Sequence, residues 1–558
     1  MIATEVLILD LLLTTTWMLK LVNERIFQVP QAVLNSLVAL VLSFILKLVA
    51  PLVPPLNQEV LKVTDLVNNF PELVLNYFLG FLLFATALHV DVREFRRIRA
   101  TVLALSVLST LLSALLVGLL TYAVLHSVYP VGFREALLFG AIISPTDPVA
   151  VISILKKFRN LVPDTTRYAI LGESLFNDAI SVILYVALIG SGKASAWCLH
   201  CSAWMRVLRV LLVQALGGMF IGLALGQLAC HVIALVEDAL LEVTTSVVLV
   251  LNLEVICSYL DTSVPLAAVC AGIVMSSRGR GVAFTRRGEK RLMHIWKFMD
   301  ETLNGILFLL IGLAAVVWNP IPSWHSTFVV ASATIFITML ARAVSVALSL
   351  AAVAAWDRYF HTHSRRRYRA HHHFDSIAII IWSGLRGGVS IALALAAPGA
   401  LRAAGQEQTN EFGQLLFMLT YVGVVWSILV QGLFFGRVVR LVYGATETVP
   451  TRPAGANPSA LSGRDTDRLE NHPWEIPDGS HAAHVADDEL DGATGLAQLT
   501  KSAQEDPETP IPNEQNDMIA RRALGESLER TTFPRYVSSK ENAATHDYQT
   551  FVVGVREL

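Results

Sequence analysis

Two short runs place ionisable side chains where the surrounding sequence is almost wholly apolar. Ser144-Pro145-Thr146-Asp147-Pro148 lies in one apolar stretch, and Gly172-Glu173-Ser174-Leu175-Phe176-Asn177-Asp178 lies in the next. Two later stretches carry Arg342 and Arg386, the second inside Ser383-Gly384-Leu385-Arg386-Gly387-Gly388. At the centre of a membrane helix an Asp, Lys or Arg costs about 2.5 to 3.5 kcal/mol. Five such charges left apart would cost on the order of 12 to 18 kcal/mol, which exceeds the net stability of a typical domain. They must face one another or water, and such residues mark ion pathways.

Spacing sharpens the chemistry. Ser174 and Asp178 are four residues apart and share a helix face, as do Glu173 and Asn177. Asp178 therefore stands beside a hydroxyl, with an amide next to it. Three carboxylates (Asp147, Glu173, Asp178) against two guanidiniums (Arg342, Arg386) leave one negative charge, which one monovalent cation or one proton would neutralise. The backbone points the same way. Prolines flank Thr146-Asp147 and glycines surround Arg386, so each helix should break at membrane depth. Paired breaks in the two halves of a chain point to a transporter site. Simple kinks would account for the prolines and glycines but not for the charges at both breaks.

The elements that must position these residues are membrane spans. The chain has 558 residues, of which 54% are hydrophobic and only 16% charged, and its mean hydropathy is +0.55. Soluble domains are about a quarter charged, so the composition already indicates a bilayer. A span needs roughly 20 apolar residues. By that measure about 13 spans are expected, near 5–22, 29–50, 70–90, 99–126, 135–155, 167–190, 206–235, 239–260, 263–277, 297–318, 326–356, 375–398 and 411–441. The ninth is short and reads as partly re-entrant. The first follows the N-terminus at once, with no basic region or cleavage site of a signal peptide.

Lys and Arg set the orientation. Basic clusters at Arg93-Arg96-Arg97-Arg99, Lys156-Lys157-Arg159, Arg278-Arg280 with Arg286-Arg287-Lys290-Arg291, and Arg365-Arg366-Arg367-Arg369 follow spans 3, 5, 9 and 11. All four fall on one side, which reads as cytoplasmic, with the N-terminus outside and the C-terminus inside.

Residues 1–444 read as a transmembrane domain and 445–558 as a separate acidic tail. The tail carries 20 acidic and 10 basic residues, against 25 acidic and 33 basic before it. It is rich in Pro, Gly and polar residues and reads as mostly disordered, apart from an amphipathic helix near 517–530. Its role would be regulatory, through a partner the sequence does not specify. Cys198, Cys201, Cys230, Cys257 and Cys270 form no disulfide framework, and the Cys198/Cys201 spacing alone carries little weight. Histidines 361, 363 and 371–373 could sense pH, but they sit among arginines that need only anchor a loop. Glu254 suits either a polar pathway or a helix-to-helix hydrogen bond. No nucleotide loop, haem signature or zinc spacing occurs, so neither a cofactor, an enzymatic activity nor a nucleic-acid partner is expected.

At these residues the chain resembles the electroneutral Na+/H+ exchanger branch of the cation:proton antiporter superfamily. The resemblance covers roughly 70–440. Phe84-Ala85-Thr86-Ala87-Leu88-His89-Val90-Asp91, the runs at 144–148 and 172–178, Leu303-Asn304-Gly305-Ile306-Leu307-Phe308 and Gly384-Leu385-Arg386-Gly387-Gly388 carry it. It implies an all-α inverted-repeat antiporter with two broken helices, a core moving against a dimerising panel, and homodimers in the cell membrane. It also implies Na+ or Li+ exchange for H+, one for one. Asp178 would bind Na+ or H+, with Ser174 and the Thr146 carbonyl as further ligands. Asn177 and Asp147 would hold the broken helix, Glu173 would pair with Arg342, and Arg386 would stabilise the break in span 12. Many members have Glu where this chain has Ala85, which removes one possible cation ligand and leaves K+/H+ exchange as the alternative. A channel or a non-transporting sensor is the reading from another class, and the intact Asp178 with both breaks argues against it.

Overall fold

A backbone in lipid must satisfy its own hydrogen bonds, so apolar runs fold as helices. Proline and glycine then decide where those helices stop. The computed structural model describes residues 2–126, 131–158, 160–190, 203–236, 238–317, 324–360, 374–403 and 410–444. The chain divides into two units, Met1–Trp474 and Glu475–Leu558, and every described residue belongs to the first. The Cys198/Cys201 pair, the histidine cluster at 361–373 and the proposed helix near 517–530 lie outside the described residues.

The first helices are α1 (Ile2–Val22), α2 (Gln31–Val49), α3 (Pro54–Leu73) and α4 (Leu79–Leu88), the last two forming one rod through a π-helical turn at Val74–Phe78. Asp91 caps the short α5 (Val92–Arg97) by accepting a hydrogen bond from the Arg93 amide at 2.8 Å. Next come α6 (Arg99–Leu103) and α7 (Thr110–Leu125), joined at Ala104–Ser109, then α8 (Phe133–Ile143), α9 (Val149–Lys157) and α10 (Asp164–Ile189). The middle of the chain forms α11 (Ala203–Ala234), α12 (Ala239–Tyr259), α13 (Val264–Val274) and α14 (Arg286–Leu313). The last part forms α15 (Trp324–Phe360), α16 (Phe374–Trp382), α17 (Gly388–Ala403), α18 (Asn410–Trp426) and α19 (Gly432–Gly444).

Among the described residues nine helical stretches are long and apolar enough to cross a bilayer. The expected spans 1, 5 and 12 are not among them; 5 and 12 are each split, into α8 and α9 and into α16 and α17. The expected ninth is also short: its apolar helix ends at Gly279. The third begins earlier than hydropathy indicates, since its helix already starts at Pro54.

Two groups of helices result. α6–α10 pack with α15–α19, while α2, α4 and α11–α14 pack with one another. Each half of the first group repeats one pattern: a long helix, a broken helix, then another long helix. The second group has its own apolar cluster, built on Phe84, Leu88, Leu253 and Trp296. Within it α2 grips α14 through a polar stripe: Asn35, Ser36 and Ser43 donate to the carbonyls of Gly305, Phe308 and Gly312 at 3.0 to 3.1 Å. α14 is thereby held along one face while its other face meets the broken helices.

Candidate functional site

The break between α8 and α9 leaves carbonyls at one helix end and amides at the other. Asp147 Oδ1 accepts from the Val149 amide at 2.8 Å and so serves the start of α9. The end of α8 is served by Arg386, whose guanidinium donates to the Ser144 carbonyl at 2.5 Å and the Pro145 carbonyl at 3.3 Å. A cation at a helix C-terminus also meets the negative end of its dipole. From α10, Asn177 Nδ2 donates to Thr146 Oγ1 at 2.8 Å and to the Thr146 carbonyl at 3.3 Å. Thr146 Oγ1 in turn lies 3.3 Å from Ser174 Oγ.

The second break is tied directly to the first, because the Asp147 amide donates to the Leu385 carbonyl at 2.7 Å. Glu173 and Arg342 form a bidentate pair, with side chains 2% and 5% exposed. Arg342 also donates to the Ile380 carbonyl at 3.0 Å, near the end of α16. The two arginines thus divide the work differently from the expectation. Arg342 serves the half-helix of span 12, whereas the Arg386 side chain leaves its own break and serves that of span 5; the Arg386 amide donates to Ser427 Oγ, between α18 and α19, at 2.9 Å.

The glycines around Arg386 make space. Among the described residues the only glycine with positive φ is Gly190, so none of these three is required for a left-handed turn. A Cβ at Gly387 would lie 2.6 Å from Asp147 Oδ2, and one at Gly384 would lie 2.7 Å from Arg342 Nε.

Asp178 and Asp147 are half-buried and line a cavity of about 50 Å³ where the two helix groups meet. At about 10 to 15 Å³ per water-sized occupant, that is room for a cation with a few waters. Ser174 lines it from α10, Thr86 from α4, Asn304 from α14 and Ser390 from α17. The breaks and α10 thus supply one wall and α4 with α14 the other. Ala85 is not on that wall: it is buried in the second apolar cluster beside Phe84 and Leu88.

A family model described as sodium/hydrogen exchanger, transmembrane, matches residues 11–441. The chain belongs to this family. The Na+/H+ antiporter NhaP of Pseudomonas aeruginosa is 32% identical over 442 residues, covering 77% of this chain and 95% of that relative. The Na+/H+ antiporter NhaH of Halobacillus dabanensis is 29% identical over 367 residues, 65% of this chain and 81% of the relative. Among solved structures, the sodium proton antiporter MjNhaP1 of Methanocaldococcus jannaschii superposes with a TM-score of 0.59 at 17% identity, over 79% of this chain and 98% of that one. The fold is therefore the all-α inverted-repeat antiporter fold, and the exchanger is a multi-pass membrane protein.

Sequence reasoning left Thr86, Asn304 and Ser390 without roles. Thr86 and Asn304 were visible as polar positions inside apolar motifs; Ser390 gave no signal, since a lone serine in a membrane helix ordinarily bonds its own backbone. Asp300 was the readable omission, an ionisable residue within the expected span 297–318. Glu254 is half-buried, with Ser258, one turn along its own helix, as a hydrogen-bond partner. Cys230, Cys257 and Cys270 are buried free thiols.

Proposed function

We propose that this exchanger moves Na+ or Li+ against H+ by alternating access at Asp178. The observation that carries the reading is the half-buried Asp178 carboxylate on a cavity bounded by two tied helix breaks on one side and α4 with α14 on the other. Na+ would be held by Asp178, Ser174 and the Thr146 carbonyl. A proton on Asp178 would replace it, so cation and proton use the same carboxylate in turn. Asn177 and Asp147 keep Thr146 in place, while the Glu173–Arg342 pair and Arg386 hold the half-helices without binding the ion. The relatives named as Na+/H+ antiporters favour this cation over K+.

In the same reading the broken-helix group moves as a body against the group built on α2 and α11–α14, which would form the homodimer contact in the cell membrane. The N-terminus lies outside and the tail from 445 lies in the cytosol. Supporting this orientation, Lys157 at the end of α9 reaches the Gln28 carbonyl after α1 at 2.9 Å, and Lys20 pairs with Glu301 of α14 at 2.7 Å. These bonds gather basic ends on one face. The test is fluorescence dequenching in vesicles reconstituted with the full chain, comparing Na+, Li+ and K+. Na+ and Li+ should release the proton gradient. No response to any cation would refute exchange, and a response to K+ alone would reassign the substrate.

A further inference from the structure

The α14 wall carries one more carboxylate, outside the ligand set above. Asp300 is half-buried and accepts a hydrogen bond from Asn304 Nδ2 at 3.0 Å, four residues further along α14. Asn304 is only 7% exposed and lines the cavity that contains Asp178. Lys297, one turn before Asp300, and Glu301, next to it, are exposed at 51% and 46%. Polar groups thus follow one face of α14 from the exposed Lys297 through Asp300 to Asn304 at the cavity, the last two about 6 Å apart along the axis. The electrostatic neighbours of Asp300 are Asp147, Glu301 and Lys156, the last from the end of α9. A second observation comes from the cavity. Ser390 Oγ is fully buried, lines the same space and has no hydrogen-bond partner among the described residues. A buried hydroxyl without a partner is costly, and a passing cation or its water would satisfy it.

We propose that Asp300 is a second cation-holding carboxylate, a waiting position from which a monovalent cation passes by Asn304 and Ser390 to Asp178. Asp300 attracts the cation beside the exposed Lys297 and Glu301, and its hydrogen bond from Asn304 turns the carboxylate along the path. Lys156 opposes occupancy, because a fixed ammonium beside the carboxylate competes with a free cation. Asp300 belongs to the wall opposite the broken helices, so it supplies the cation to the moving site and does not carry it across. The inference rests on the exchange reading given above.

The test measures initial Na+-driven proton flux against Na+ concentration in vesicles. A charge that focuses ions at a cleft raises their local concentration at least about tenfold. Asp300→Asn should therefore raise the KM for Na+ about tenfold with kcat little changed, and Asp300→Glu should restore most of the affinity. Lys156→Gln should shift KM the other way. A purely structural Asp300 would lower kcat or the amount of folded protein and leave KM alone, which would overturn the proposal. If Asp300→Asn fails to insert, the Lys156→Gln and Asp300→Glu variants decide: an unchanged KM in the first, or lost flux in the second, refutes the waiting position. Wild-type vesicles without Na+-driven flux would instead refute the exchange reading itself.

Discussion

Asp178 and Glu173 lie five residues apart on α10, yet Asp178 and the Glu173–Arg342 pair call for opposite experimental signatures. Asp178 is half-buried at the cavity, so Asp178→Ala removes the proposed shared binding group without unpairing a buried charge. That variant should insert and melt normally but show no Na+-driven proton flux; substantial flux would remove Asp178 from the site. Glu173 and Arg342 are almost fully buried. Removing one partner strands the other charge, at a cost of roughly 3 to 5 kcal/mol. Each single neutralisation should lower the melting temperature in detergent, and the double variant should recover part of the loss. Simple additivity would mean that the two side chains do not interact.

The broken helices depend on close approach between elements, and glycine is what permits it. At Gly387 an added methyl would press on Asp147, whose amide and carboxylate bind Leu385 and Val149. Displacements near 1 Å at a reacting site can cost about a hundredfold in rate. Gly387→Ala should thus depress kcat for exchange by one to two orders of magnitude while the chain still inserts. Gly399 on α17 provides the control, since a Cβ there meets nothing within 4 Å. Gly399→Ala should leave flux unchanged and, by helix propensity, stabilise by up to about 1 kcal/mol. Equal loss in both variants would show that the helix, not the gap at Asp147, is sensitive to glycine replacement. The α2–α14 stripe works by the same closeness, with short side chains donating directly to a neighbouring backbone.

For the whole molecule the decisive quantity is the charge carried per cycle. If Asp178 alone binds either one monovalent cation or one proton, both loaded states have equal charge and a membrane potential does no net work. Exchange moving one net charge would gain about 2.3 kcal/mol per 100 mV, a bias of nearly fifty-fold in ion gradient. Vesicles under an imposed potassium diffusion potential should therefore exchange Na+ for H+ at an unchanged equilibrium. A clear voltage dependence would bring a second titrating group into the moving site, and Asp147 would be examined first because it lines the same cavity. Asp300 would not serve, since it belongs to the α14 wall.

The sequence by itself determined the membrane character, most helix positions, both breaks and the identities of Ser174, Asn177 and Asp178 as neighbours. Each of these follows from local rules: an apolar run must be helical in lipid, proline ends a helix, and residues four apart share a face. Only the tertiary structure decided which break each arginine serves. A guanidinium on a long stem can bond a carbonyl of another helix, and nothing in the spacing of Arg342 and Arg386 says which one. The same holds for the glycines, whose purpose is the side chain that approaches them, and for Ala85, buried in a cluster that also holds Ala268 and Trp296 from other helices. Asn304 and Ser390 came to one cavity only when α14 and α17 packed together, because those two helices are far apart in the sequence.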